Sequence, residues 1–229
     1  MKLKLNSLIA ALGLLAMLSG NAHAQATTDS FAGWTKLGDA VSANGTITLT
    51  TAFMDGDGDQ AYNLSGESAV DVLFGGLADQ AGVDVSAFDI QDQFALEGSL
   101  ITQSFSALAG QTLSFDWSFA THEDLFLDNA FVVIGGQVVT LATAAQPGSG
   151  TQSYSYTFAQ SGPVALSFGV VDTDSSFGVS LLSVSNLQLT SVAAVPEPTT
   201  TALMFAGLAL VVGLKRAGRG GAGPRGRAR

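Results

Sequence analysis

The chain has 229 residues, 47% of them hydrophobic and 12% charged, with 27 glycines and no cysteine. That length fits one medium domain with flanking segments, and so apolar a composition excludes a disordered chain. Disulfides, thiolate metal sites and a cysteine nucleophile are excluded outright. The net charge of −10 is unevenly placed. Lys2 and Lys4 open the chain, Lys215, Arg216, Arg219, Arg225, Arg227 and Arg229 close it, and Lys36 alone lies between. Eighteen of the nineteen acids fall between Asp29 and Asp174, so the centre carries 1 − 18 = −17. Such a surface repels nucleic acid and anionic lipid and attracts cations.

The first element is Met1-Lys2-Leu3-Lys4, an apolar run from Leu5 to Leu18, and Ala22-His23-Ala24. A basic start, a short apolar core and an A-x-A exit are the parts of a secretory signal. The run is short for a membrane span. Cleavage between Ala24 and Gln25 is expected, with the Sec translocon and signal peptidase as partners.

From Gln25 to Thr190 the pattern is short strands between Gly-rich turns. Thr46 to Thr50 is the first clear strand. Asp55-Gly56-Asp57-Gly58-Asp59 follows, with a carboxylate at every second position, a spacing that can wrap one hard cation such as Ca²⁺. It departs from an EF-hand: Gln60 takes the glycine position, Gly66 stands where the bidentate Glu belongs, and Glu67 is one residue late. The competing reading is a solvated acidic turn. Leu77 to Phe88 is ambiguous and allows a short helix, and Ser99 to Phe105 reads as a strand. Leu113, Phe115, Trp117 and Phe119 share one strand face while Ser114, Asp116 and Ser118 take the other.

His122-Glu123-Asp124 with Asp128 forms a polar loop whose residue types can bind a metal. His122 is the one histidine left after signal removal, which excludes a multi-histidine zinc site. Phe131 to Ile134 and Val138 to Leu141 flank Gly135-Gly136-Gln137 and read as a hairpin. Tyr154, Tyr156 and Phe158 alternate with Ser and Thr. Leu166, Phe168 and Val170 follow the turn at Ser161-Gly162-Pro163. Asp172 and Asp174 are placed in a loop, and Val179 to Leu189 is a last long strand. About eight to ten such strands make an all-β, antiparallel β-sandwich, with the aromatic stripe as its core.

The C-terminus reads Val195-Pro196-Glu197-Pro198, an uncharged apolar stretch over 199–214, and the basic tail 215–229. Proline at 196 and 198 stops a helix from extending backwards. Sixteen helical residues reach roughly 24 Å, short of a ~30 Å bilayer core, and the flanking basic side chains can snorkel. The tail is expected in the cytoplasm, so the domain faces the periplasm.

These three parts in order resemble a PEP-CTERM sorting signal. The resemblance covers 195–229 and implies recognition by an exosortase in the inner membrane. It further implies cleavage near the motif and release to the cell surface or an extracellular polysaccharide matrix, in a Gram-negative-type envelope. The central pieces Glu97-Gly98-Ser99, Leu113 to Phe119, Asn129 to Val133 and Leu182 to Leu187 are similar to exported jelly-roll domains of PEP-CTERM proteins. Gln93-Phe94-Ala95-Leu96-Glu97 resembles the Gln-Phe-x-x-Asp signature of one such group, with Glu in place of Asp. The expected organisation is signal 1–24, β-sandwich ectodomain 25–192 and sorting signal 195–229.

No catalytic residue is singled out. A Ser-His-Asp triad would have to use His122, and no G-x-S-x-G elbow is present. No phosphate loop or dinucleotide fingerprint occurs. The expected function is a non-enzymatic surface or matrix protein, calcium-stabilised through Asp55, Asp57 and Asp59. The alternative is a carbohydrate-binding module associated with exopolysaccharide, and an exported glycan hydrolase is the third reading. Exposed aromatics beside a groove would favour the second. Two buried carboxylates about 5 to 10 Å apart would favour the third.

Overall fold

The computed structural model describes residues 31–54, 59–123, 125–173 and 178–191. Ala22, Ala24 and Gln25, the Val195 to Pro198 motif with its apolar stretch, and Asp55 and Asp57 lie outside the described residues. The compact unit containing the sandwich ends at Val192.

Among the described residues eleven strands form two antiparallel sheets. They are β1 (Thr35–Leu37), β2 (Ala40–Ala43), β3 (Thr46–Thr50), β4 (Val70–Asp71), β5 (Glu97–Ala107), β6 (Thr112–Thr121), β7 (Asn129–Ile134), β8 (Gln137–Thr143), β9 (Gln152–Thr157), β10 (Gly162–Asp172) and β11 (Ser180–Thr190). One sheet runs β1-β5-β10-β7-β8, with β4 added to β5, and the other runs β2-β3-β11-β6-β9. From β5 onward the chain crosses repeatedly between the sheets, the winding of a jelly-roll sandwich.

The period-two pattern decides which side chains meet. Leu113, Phe115, Trp117 and Phe119 of β6 are buried, and they join Ile47, Leu49, Ile101, Phe168, Leu182 and Val184 between the sheets. Phe115 meets Phe168 edge-on, with ring centres 4.8 Å apart. The expected hairpin is β7–β8, turning at Gly135 and Gly136, with Gln137 already in β8 opposite Ile134.

All six residues of β7 are buried, because its sheet is covered on both faces. The outer cover is the ambiguous Leu77 to Phe88 segment. It divides into a one-turn helix, α1 (Leu77–Ala81), closed by Gly82 in the left-handed region, and a 3-10 turn (Val85–Phe88) capped by Asp84. Leu77, Ala78, Ala81 and Phe88 pack there on Leu100, Phe131, Val133 and Val171.

Asp172 is not in a loop as expected: it is the last residue of β10, opposite Glu97 of β5, and is buried. The sequence reading also missed β1, β2 and β4, edge pieces of two to four residues.

Candidate functional site

One end of the sandwich gathers carboxylates. β5 and β7 begin there, β10 ends there, and the register pairs Asp172 with Glu97 and Val171 with Asn129. Asp128, just ahead of β7, is fully buried. Its Oδ2 accepts from Ser180 Oγ at 2.7 Å, its Oδ1 accepts from the Thr173 N–H at 3.3 Å, and it shares a hydrogen bond with the Asp172 carboxyl. Burial pushes the Asp128 carboxyl up to about 6, with the nearby Glu123 charge adding to the rise.

Glu123 accepts from the Leu125 and Phe126 N–H groups through Oε1, at 2.6 and 3.1 Å, while its Oε2 is buried without a hydrogen-bond partner. Gln93, the first residue of the Gln-Phe signature, ties this end together. Its Oε1 accepts from the Leu127 N–H at 2.7 Å and from Thr173 Oγ1 at 3.1 Å. The signature thus joins the loop before β7 to the segment after β10. His122 is exposed and rests on the Tyr62 ring, with centres 4.5 Å apart. Of the His122-Glu123-Asp124 and Asp128 set, Asp124 lies outside the described residues; among the described residues no group of three His, Asp or Glu side chains is placed to hold a metal.

Of the acidic run, Asp59 is described and opens a 3-10 turn, Asp59–Ala61. The loop beyond it is held by a residue that sequence reasoning missed. Asp39, fully buried in the β1–β2 turn, accepts from the Ser65 N–H at 2.7 Å, from the Leu64 N–H at 2.9 Å and from Thr50 Oγ1. Its sequence signal was a lone acid beside Gly38 between two undetected strands. Phe74, Phe94 and Leu125 are exposed at the carboxylate end. The backbone ties their loops together there, through Val72 N–H to the Leu96 carbonyl and Leu96 N–H to the Asp172 carbonyl, at 2.7 and 2.9 Å.

A groove lies away from this cluster, toward the end where β11 finishes. It holds about 210 Å³ and is lined by Trp34, by Gln103, Phe105 and Ser106 of β5, and by Leu113, Leu166, Leu187 and Leu189 from three further strands, with Gln188 beside them. A bulge in β11 shapes it. The β11–β6 register shifts between Ser185 and Gln188, and Asn186 sits at φ 52°, its Nδ2 donating to Asp116 Oδ2 at 2.7 Å. Buried positions step from Val184 to Leu187, so Leu187 points inward and Gln188 is exposed. Trp34 is fixed in place: it meets Phe31 edge-on at 5.3 Å and stacks on Phe168 at 6.0 Å. Among the described residues no ionisable side chain lines the groove.

No family model and no curated protein matches the chain. A solved structure described as "CBM4 structure and function" aligns with a TM-score of 0.35 and 12% identity, over 72% of this chain and 98% of that one. So distant a likeness leaves the fold to be read from the strand pairing and says nothing of a ligand.

Proposed function

We propose that this is an exported, exosortase-sorted protein of the cell surface or extracellular matrix, whose β-sandwich binds or builds rather than catalyses. The observation that carries the proposal is the order of the last forty residues. The last described strand, β11, ends at Thr190, and after five intervening residues the chain enters Pro196-Glu197-Pro198, an uncharged stretch and a basic tail. The last described strand of the sandwich thus ends before the sorting segment begins. The precursor is anchored in the inner membrane with its domain in the periplasm, and cleavage frees the domain.

The Asp128–Asp172 pair does not have the spacing of a retaining glycosidase. Asp128 and Asp172 share a hydrogen bond, which brings their carboxyls closer than the ~5 Å a retaining glycosidase uses. Both are buried, with no surface for a sugar to approach. Calcium held by Asp55, Asp57 and Asp59 is part of the proposal. Exopolysaccharide association is the second reading, favoured by the groove at Trp34.

The test is replacement of Pro196, Glu197 and Pro198 by alanine. Full-length precursor should accumulate in the inner membrane, and mass spectrometry of the wild-type surface protein should find Gln25 first. Unchanged surface delivery, or delivery in a strain lacking exosortase, would overturn the sorting proposal.

A further inference from the structure

We propose that the groove at Trp34 is a binding site for one neutral pyranose unit of a glycan chain, an inference that rests on the second reading above. Its size admits one ring. At about 210 Å³ it falls below the ~300–1,000 Å³ of pockets that enclose larger ligands, so the remainder of a glycan would lie outside.

Its lining matches the two sides of a pyranose. Trp34 and Phe105, with Leu113 and Leu189, offer apolar surface to the C–H face of a sugar ring. Gln103, Gln188 and Ser106 bring hydrogen-bonding groups to the same hollow. The side chains of these three residues form no hydrogen bond with the described residues, which leaves them available to hydroxyls. An acyl chain would leave them unmatched, which costs affinity. Charge selects further. Among the described residues no ionisable group lines the groove, while the domain around it carries −17, with Lys36 its one base. A uronic acid or sulfated sugar would find no partner there and would enter a repulsive field.

The site is built in advance of any ligand. Trp34 is held between Phe31 and Phe168, and the β11 bulge fixes Leu187 and Leu189 facing in with Gln188 exposed. Rigid aromatics lose little freedom on binding. Asn186 carries the left-handed backbone of that bulge, a strain of the kind that gathers at ligand sites.

The chain has two tryptophans, and the other, Trp117, is buried in the core. In a Trp117→Phe variant, emission reports Trp34 alone. The probes are glucose, galactose, mannose, N-acetylglucosamine, their trisaccharides, and glucuronate as the charged control. They are titrated into the full-length chain in a detergent without a sugar headgroup. At least one neutral sugar should change Trp34 emission saturably in the millimolar range or tighter, and glucuronate should not. Calorimetry and saturation-transfer NMR on the wild-type chain repeat the measurement, so a poorly folded Trp117→Phe variant decides nothing alone. Gln103→Ala/Gln188→Ala should weaken binding at least tenfold with unchanged melting, and Trp34→Ala should abolish it. Absence of binding by every neutral probe, equal binding of glucuronate, or full affinity in the double variant would overturn the site. Surface delivery through the Pro-Glu-Pro segment is read separately, so either proposal can fail without the other.

Discussion

An Asp128→Asn substitution keeps the size of the side chain and one acceptor oxygen, and removes its charge. In the folded protein Asp128 is fully buried beside Asp172 and within the field of Glu123. Burial, offset in part by Ser180 Oγ and the Thr173 N–H, raises its carboxyl from 3.8 to about 6. The folded state therefore holds this proton more tightly than the unfolded chain does. Between pH ~4 and ~6 the folded state binds more protons, so the stabilisation from Asp128 is complete below about 4 and lost as pH rises through about 6. A shift of roughly two units corresponds to about 3 kcal/mol at the limit. In a domain of this size that is about 6–12 °C in Tm.

Asparagine can still accept from the Thr173 N–H and can donate to an Asp172 carboxyl oxygen through its amide. At pH 7.5 Asp128→Asn should therefore melt several degrees above the wild type, and the gap should close as pH falls toward 4. Thermal melts by circular dichroism from pH 4 to 8 make the comparison. General repulsion within an acidic domain acts on both proteins alike, so the difference between the two curves isolates Asp128. The reasoning is refuted if Asp128→Asn melts below the wild type at pH 7.5, or if both lose stability in parallel as pH rises.

Two further outcomes follow from packing and from the acidic run. A Cβ at Gly169 would collide with the Phe131 ring, which is fully buried and tilted on Phe88 at 4.6 Å. Gly169→Ala should cost about 1–3 kcal/mol by chemical denaturation, and adding Phe131→Leu should recover part of the loss; independent, additive losses would count against the contact. For the calcium proposal, the protein should melt higher in millimolar Ca²⁺ than in chelator, by about 2.7 kcal/mol at a hundredfold excess over the dissociation constant. Monovalent salt at matched ionic strength should not reproduce that gain, and Asp57→Asn should remove most of it; identical melting in calcium and chelator would leave a solvated turn.

The legible part of the fold is the part governed by alternation. Leu113 to Phe119 announces a strand with one buried face because side chains two apart share a face, and β6 buries those four residues. The β7–β8 hairpin was legible because adjacent glycines interrupt two β-branched runs. Alternation fails where a strand is too short to show it, as in β1, β2 and β4. It also fails where a sheet is covered on both sides: nothing in Phe131 to Ile134 says that α1 lies on the outer face.

The carboxylates were the least legible feature, and the reason is physical. An aspartate in a sequence reads as solvated because burying its charge is costly. Asp39 escapes that rule by accepting from two backbone N–H groups and a threonine hydroxyl. Asp128 escapes it by accepting from Ser180 Oγ and the Thr173 N–H and by its hydrogen bond with the Asp172 carboxyl. Each donor comes from a segment distant along the chain: Leu64 and Ser65 for Asp39, Thr173 and Ser180 for Asp128. Only the folded arrangement brings them close. Sequence separation likewise distinguishes the acidic run from the buried pair. Asp55, Asp57 and Asp59 are close in sequence and read as a cation loop, whereas Asp128 and Asp172 are 44 positions apart by number and meet through the β7–β10 register. A local pattern can announce a loop that wraps an ion, but a hydrogen bond shared across a sandwich depends on strand pairing and has no spacing to announce it.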